Sequence, residues 1–336
     1  MSNLFERAMV FTDLHIGLRH NSKVHLDDCI QYAQWFIDEA KKRDVDTCLF
    51  LGDFMHHRNT INSLTLEYGI KLLSMLNGAF KKTYFLVGNH DLYLKDSRTI
   101  TSMKFATLFP NITLVDSPTI IDDVALIPWL VEDEWEQISN IKTKYLFGHL
   151  ELPGFKMNAM IDMPDHGMLN STHFSQDYVF SGHFHMRQTK GKVTYIGNPF
   201  GHNYSDVWDF ERGAMYLEWN KEPEFLNYTD GPRFITINLA ALLENPEIYL
   251  KPKTHLQVTL DVDITYEEAS ALREIFLSQY DVREFKLVRN QDEDATSEYA
   301  GDIAMKTVDQ IVLEGIAILE SNKIKPNLLI EIYDRL

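Results

Sequence analysis

Short apolar runs recur through the first two hundred residues, and each stops at a polar motif. Residues 9–11 lead into Thr12-Asp13-Leu14-His15, and residues 48–51 into Gly52-Asp53. Residues 84–87 lead into Gly88-Asn89-His90-Asp91, residues 145–147 into Gly148-His149, and residues 178–180 into Ser181-Gly182-His183-Phe184-His185. Runs this short, rich in Phe, Tyr, Val and Leu and ended by Gly, read as buried strands. Between the early ones lie helical patterns. Residues 26–43 place Ile30, Ala33, Trp35, Phe36 and Ile37 on an apolar side, and residues 64–76 form a second such segment. Alternation of strand and helix predicts an α/β sandwich with a largely parallel portion. Ligands in such sheets gather beyond the carboxyl ends of the strands, where all five polar motifs fall.

The texture changes at about Arg233. Residues 255–264 alternate, with Leu256, Val258, Leu260 and Val262 on one face. Thr265-Tyr266-Glu267-Glu268 is a capping box that opens a helix reaching about Gln279. Residues 282–288 resume strand character, which makes a small β-α-β module. Residues 289–302 hold five acids and one base and read as a solvated linker. Beyond them Met305, Val308, Val312, Ile316 and Leu319 recur at helical spacing, Lys325-Pro326 breaks that helix, and residues 328–336 form a short second one. The expected division is therefore a catalytic domain over 1–232, a small module over 233–288, a linker over 289–302 and a helical segment over 303–336.

Composition adds limits. In a chain of 336 residues, 45% hydrophobic and 24% charged, a substantial core can form and disorder is excluded as the main state. No apolar run approaches the roughly 20 residues of a membrane helix, and the opening residues lack a secretory pattern. Two cysteines, Cys29 and Cys48, lie in apolar segments and read as core residues, so the expected compartment is a reducing cytoplasm. The formal net charge of −17 weighs against nucleic-acid binding by the surface as a whole. A bound metal reverses that sign locally, so the charge does not decide the site.

The five motifs supply Asp13, His15, Asp53, Asn89, His149, His183 and His185. Carboxylates, imidazoles and one amide oxygen are the donor set of borderline divalent metals, and the absence of cysteine disfavours a structural zinc. Seven ligands exceed one tetrahedral ion and suit two ions sharing a carboxylate, the arrangement that clamps both oxygens of a phosphoryl transfer. Any one of these residues alone reads as a satisfied core group. Seven of them at five strand ends do not. The remaining histidines outside the motifs, His20, His25, His57, His166, His173, His202 and His255, read as ordinary surface.

Together, Asp13-x-His15, Gly52-Asp53, Gly88-Asn89-His90-Asp91, Gly148-His149 and Gly182-His183-x-His185 resemble the five signatures of calcineurin-like metallophosphoesterases. His56, Pro128-Trp129 and Tyr195-Ile196-Gly197-Asn198-Pro199 narrow the resemblance to SbcD-type DNA-repair nucleases. The resemblance implies a sandwich of two central β-sheets flanked by helices, with a capping domain and C-terminal helices. It implies one ion held by Asp13, His15, Asp53 and His185 and a second by Asp53, Asn89, His149 and His183, both most naturally manganese with magnesium as the alternative. In this family His90 would face the scissile phosphate and assist the leaving oxygen, Asp91 would orient its ring, and His56 would be an auxiliary residue beside the metals. The implied protein is the exonuclease and endonuclease subunit of a DNA double-strand-break repair and recombination complex. Its implied partners are DNA, an SMC-like ABC ATPase of SbcC type docked on the C-terminal helices, and a second copy joined through residues 64–76 and 100–108. A phosphoesterase acting on small phosphodiesters or phosphoproteins, or a noncatalytic assembly subunit, are the competing readings.

Overall fold

The computed structural model describes residues 3–157, 161–262 and 264–289. Its first sheet orders the strands Glu224–Asn227, Gly213–Glu218, Arg7–Phe11, Thr47–Phe50, Lys82–Leu86 and Ile112–Val115. Pairing is parallel from Arg7–Phe11 onward and antiparallel across the first two strands. The helices Lys23–Lys42 and Ser63–Ala79 are the crossovers, close to the two helical segments expected from the spacing. The second sheet orders Gln188–Lys190, Val193–Tyr195, Tyr178–Gly182, Tyr145–His149, Val124–Ile127 and Thr119–Ile121, parallel in its middle and antiparallel at both edges.

Alternation along each strand explains the layering. Val10, Leu49, Leu51 and Leu86 face Leu126, Phe147 and Phe180 of the other sheet across a shared core. Their neighbours Met9, Phe11, Phe50 and Phe85 point the opposite way, onto Leu26, Tyr32, Phe36 and Leu72 of the helices. Ala125, Ile127, Leu146 and Val179 cover the far side of the second sheet with Phe155, Leu169 and Phe174. Strands buried on both faces carry apolar residues at every position, so they stand out in the sequence as uninterrupted runs. Cys29 and Cys48 are buried free thiols within the helix-covered core.

The third sheet is fully parallel and orders Arg233–Asn238, Thr254–Leu260 and Glu284–Arg289. It contains one strand and two short helices, Leu239–Glu244 and Pro246–Tyr249, that the spacing does not announce, so the β-α-β step is made twice. The capping box is present: Thr265 Oγ1 accepts from the Glu268 amide at 3.2 Å, and Glu268 Oε2 accepts from the Thr265 amide at 2.9 Å. The strand expected to reach residue 264 ends at Leu260, and Val262 is exposed. Residues 100–108 are not one helix. Ile100 belongs to the strand Ser97–Thr101, and Ser102–Leu108 is a 3-10 helix capped by Thr101 Oγ1. Residues 290–336, which carry nearly all the expected linker and both C-terminal helices, lie outside the described residues. No described helix is long and apolar enough to cross a membrane.

The third sheet is tied to the sandwich by ions. Asp28, on the first crossover helix and 1% exposed, accepts from both terminal nitrogens of Arg283, at 2.8 Å for Nη2–Oδ1, and pairs with Lys253 Nζ at 3.2 Å. Removing one member of a buried pair strands the remaining charge, at a cost of about 3–5 kcal/mol. Asp28→Ala is therefore expected to destabilise the protein by about that amount in denaturant melts. A loss within about 0.5 kcal/mol, the ordinary scale of a surface change, would show that solvent screens this clamp.

Candidate metal centre

Four of the seven candidate ligands have left-handed backbone: Asp13 (φ 52°), His15 (φ 49°), Asp53 (φ 60°) and His183 (φ 88°). Such conformations cost energy in non-glycine residues and persist only where surrounding bonds enforce them. Here the Asp13 amide donates to the Gly52 carbonyl at 2.9 Å, the His15 amide to the Asp53 carbonyl at 3.1 Å, and the His183 amide to Asp13 Oδ2 at 3.0 Å. The loops brace one another. Gly88 is needed for this approach, because a Cβ there would lie 2.2 Å from Asp53 Oδ1.

The donor atoms converge in two groups. In the first, His15 Nε2 and His185 Nε2 face each other at 3.2 Å, and each lies 3.9 Å from Asp13 Oδ1. In the second, Asn89 Oδ1 lies 3.0 Å from His149 Nε2 and 3.1 Å from His183 Nδ1. Asp53 Oδ2 stands between them, 3.6 Å from His15 Nε2 and 3.4 Å from His149 Nε2. Adjacent ligands on metal–nitrogen bonds of about 2.1 Å are roughly 3 Å apart, so these separations fit a cation at each group. The outward nitrogens are held: His149 Nδ1 donates to the Leu51 carbonyl at 2.6 Å, and His183 Nε2 lies 3.1 Å from Glu151 Oε2. Such partners fix tautomer and ring orientation in metal-binding histidines. Burial lowers His15 well below the usual imidazole range and lowers His183 too. Burial also acts to lower His149, but the charge of Asp53 outweighs it and raises the ring.

His90 lies at the rim, half-buried, with its ring 4.8 Å from that of His15. Its Nδ1 is 2.8 Å from the His56 carbonyl, so Nδ1–H donates there and Nε2 lies outside that bond. The His56 ring stacks 5.6 Å from that of His90, and its Nδ1 is 3.5 Å from His15 Nδ1. Burial and the neighbouring His90 bring His56 down to about 4.

The family follows from the sequence match. Residues 6–187, more than half of the chain, match the calcineurin-like phosphoesterases. The chain belongs to that family. Its members are metallophosphoesterases, and the cluster of aspartates and histidines above suits their divalent ions. Exonuclease subunit 1 of Enterobacteria phage T4 is 30% identical over 223 residues, which are 64% of this chain and 65% of that protein. The chain thus spans a little under two thirds of that relative. Putative phosphoesterase 244L of Invertebrate iridescent virus 6 is 25% identical over 254 residues, 66% of this chain and 83% of that protein. Among solved structures, the nuclease MPE of Pseudomonas putida aligns over 56% of this chain and 66% of its own, at 19% identity and a TM-score of 0.31.

One expectation for this phosphoesterase needs correcting. Asp91 does not touch the His90 ring. It sits in the 3-10 turn Asn89–Asp91 with its carboxylate turned back, accepting from the amides of Asp53 (3.0 Å), Phe54 (3.0 Å), Met55 (2.9 Å) and Gly88 (2.9 Å). Those four bonds brace the Asp53 loop, while the His90 ring is bonded through Nδ1 to the His56 carbonyl. The histidines outside the motifs also divide differently from expectation. His20 and His166 are exposed and His57 and His173 half-buried, but His25, His202 and His255 are buried.

Several residues of the centre fall outside the motif pattern. Glu151 follows His149 by two positions and could have been noticed as its near neighbour. Trp129 packs its ring 5.1 Å from that of His183 and carries Lys95 Nζ 4.8 Å over its face. Arg212, 2% exposed, donates Nη1 to the His185 carbonyl at 2.9 Å. Trp129 belongs to the Pro128-Trp129 pair that the resemblance singled out, whereas Arg212 arrives from a distant segment and local spacing carries no trace of it.

Proposed function

We propose that this phosphoesterase is a metal-dependent DNA nuclease, the exonuclease and endonuclease subunit of a double-strand-break repair and recombination complex. The observation that carries the reading is Asp53 Oδ2 standing between two converging donor groups, with the half-buried His90 beside them. Asp13, His15, Asp53 and His185 would hold one divalent ion, and Asp53, Asn89, His149 and His183 would hold the other. Two such ions, manganese in first place and magnesium as the alternative, would supply Lewis acidity and nucleophile activation at a phosphodiester. His90, its Nδ1–H fixed by the His56 carbonyl, would act in its imidazolium form, passing the Nε2 proton to the departing sugar oxygen as general acid. The His56 ring supports His90 by stacking, and Asp91 holds the loop from which Asp53 projects.

DNA is the favoured substrate because the T4 relative is named an exonuclease subunit. On this reading residues 1–232 are the nuclease domain and 233–288 a cap that walls the DNA groove. Residues 289–302 would tether residues 303–336, whose apolar residues at helical spacing suit docking on an SMC-like ABC ATPase. A second copy would join through the apolar, exposed Leu64, Ile70, Ile100 and Leu108. The setting is the cytoplasm of the cell in which DNA is processed. Purified chain with manganese, with and without the ATPase, is offered end-labelled duplex DNA and bis(p-nitrophenyl) phosphate. Cleavage of DNA supports the proposal. Activity confined to the small ester would leave a phosphodiesterase of small substrates, and inactivity on both with the ATPase present would leave an assembly subunit.

A further inference from the structure

His202 lies on the loop between Val193–Tyr195 and Gly213–Glu218, away from every strand-end motif. Its side chain is 2% exposed, and neither Nδ1 nor Nε2 has a hydrogen-bond partner among the described residues. A neutral imidazole always carries a lone pair and an N–H, and each buried polar group left unsatisfied costs about 1–3 kcal/mol. Packing does not require that expense: Phe200 and His25 flank the ring at 5.5 and 5.9 Å, contacts a phenylalanine would make equally well. What distinguishes the position is its other side. The ring centroid is 5.5 Å from that of His15 and 5.2 Å from that of His185, and one nitrogen of each of the three rings lies within 4.8 Å of the others.

The backbone is built to keep it there. The His202 amide donates to Asp206 Oδ2 at 2.7 Å, and Asp206 Oδ1 accepts from Arg212 Nη2 at 3.0 Å. The same guanidinium, through Nη1, reaches the His185 carbonyl at 2.9 Å and Asn198 Oδ1. One buried arginine therefore sets the loop of His202 against the loop of His185. Arg19 Nη2 adds a bond to the His202 carbonyl at 3.3 Å.

We propose that His202 is a further nitrogen ligand of the ion held by Asp13, His15, Asp53 and His185. The inference rests on the two-ion reading of the centre. Donors around an octahedral ion with bonds of about 2.1 Å are roughly 3 Å apart when adjacent and 4.2 Å apart when opposite. The nitrogens of His15, His185 and His202 already lie within 4.8 Å of one another, so an approach of the His202 ring toward these two ligands would bring it into that range. A fifth protein ligand, being neutral, tightens this ion without adding negative charge and leaves one position for water. The other ion gains no such ligand, so the two bind unequally.

The test is manganese binding by the full chain, followed by paramagnetic resonance of free Mn2+, with His202→Phe keeping the ring volume. Wild type should take up two ions. The variant should bind one unchanged and the other roughly 10–100-fold more weakly, on the scale seen when a partner of a ligand is lost. Before metal is added it should melt at or above the wild-type temperature, because an unsatisfied buried group is gone, and manganese should raise that temperature less. Unchanged affinities in folded His202→Phe overturn the proposal and leave His202 a packing residue. So would unfolding of both His202→Phe and His202→Ala. Wild type that binds no manganese would overturn the two-ion reading itself, a distinct result.

Discussion

Asp53→Ala is expected to deprive the protein of both ions and of activity. Asp53 Oδ2 lies within 3.6 Å of a nitrogen in each donor group. Without it the second group keeps two imidazoles and the amide of Asn89, and the first keeps only Asp13 as an anion. Loss of several kcal/mol of charge stabilisation corresponds to about 10³-fold or more in kcat. Alanine also tolerates the φ of 60° at this position less well than aspartate does, so Asp53→Asn is the matched control. Asparagine keeps the loop conformation and removes the charge. Elemental analysis of both variants checks the outcome, and two ions retained at full occupancy would refute the bridging role.

His90→Gln is expected to behave in the opposite way, retaining both ions while kcat falls by about 10²–10⁴, the range for a positioned acid or base. The distinction follows from where its nitrogens go. Nδ1 is taken by the His56 carbonyl, and the pairs that join the two donor groups do not include His90. The His90 amide, by contrast, donates to Asp53 Oδ1 at 2.8 Å, a backbone bond that glutamine preserves. Metal content measured beside turnover separates the roles. Metal lost in proportion to activity would make His90 a ligand.

The five strand-end motifs were legible because the strands feeding them are buried on both faces. Continuous apolar runs such as 48–51 and 84–87 mark where the chain enters the core, and the first polar residue after each marks the site. The capping box at Thr265 was legible for a similar reason, since both its partners lie within one turn. What stayed hidden depends on distance or on the direction of a side chain. Nothing local pairs Asp28 with Arg283 across 255 positions, or sets His202 against His15. Asp91 misled by adjacency: next to His90 in sequence, it is turned by a tight 3-10 turn toward the amides of residues 53–55. The strand Arg233–Asn238 follows Pro232 directly and is joined by a helix of only six residues, too short for a helical period to register.

Anomalous scattering from a manganese-soaked crystal of the full chain tests the central claim most directly. Two peaks about 3.5–4 Å apart are expected with Asp53 Oδ2 between them, one beside His15 and His185 and one beside Asn89, His149 and His183. A single peak, or two peaks that do not share Asp53, would contradict it.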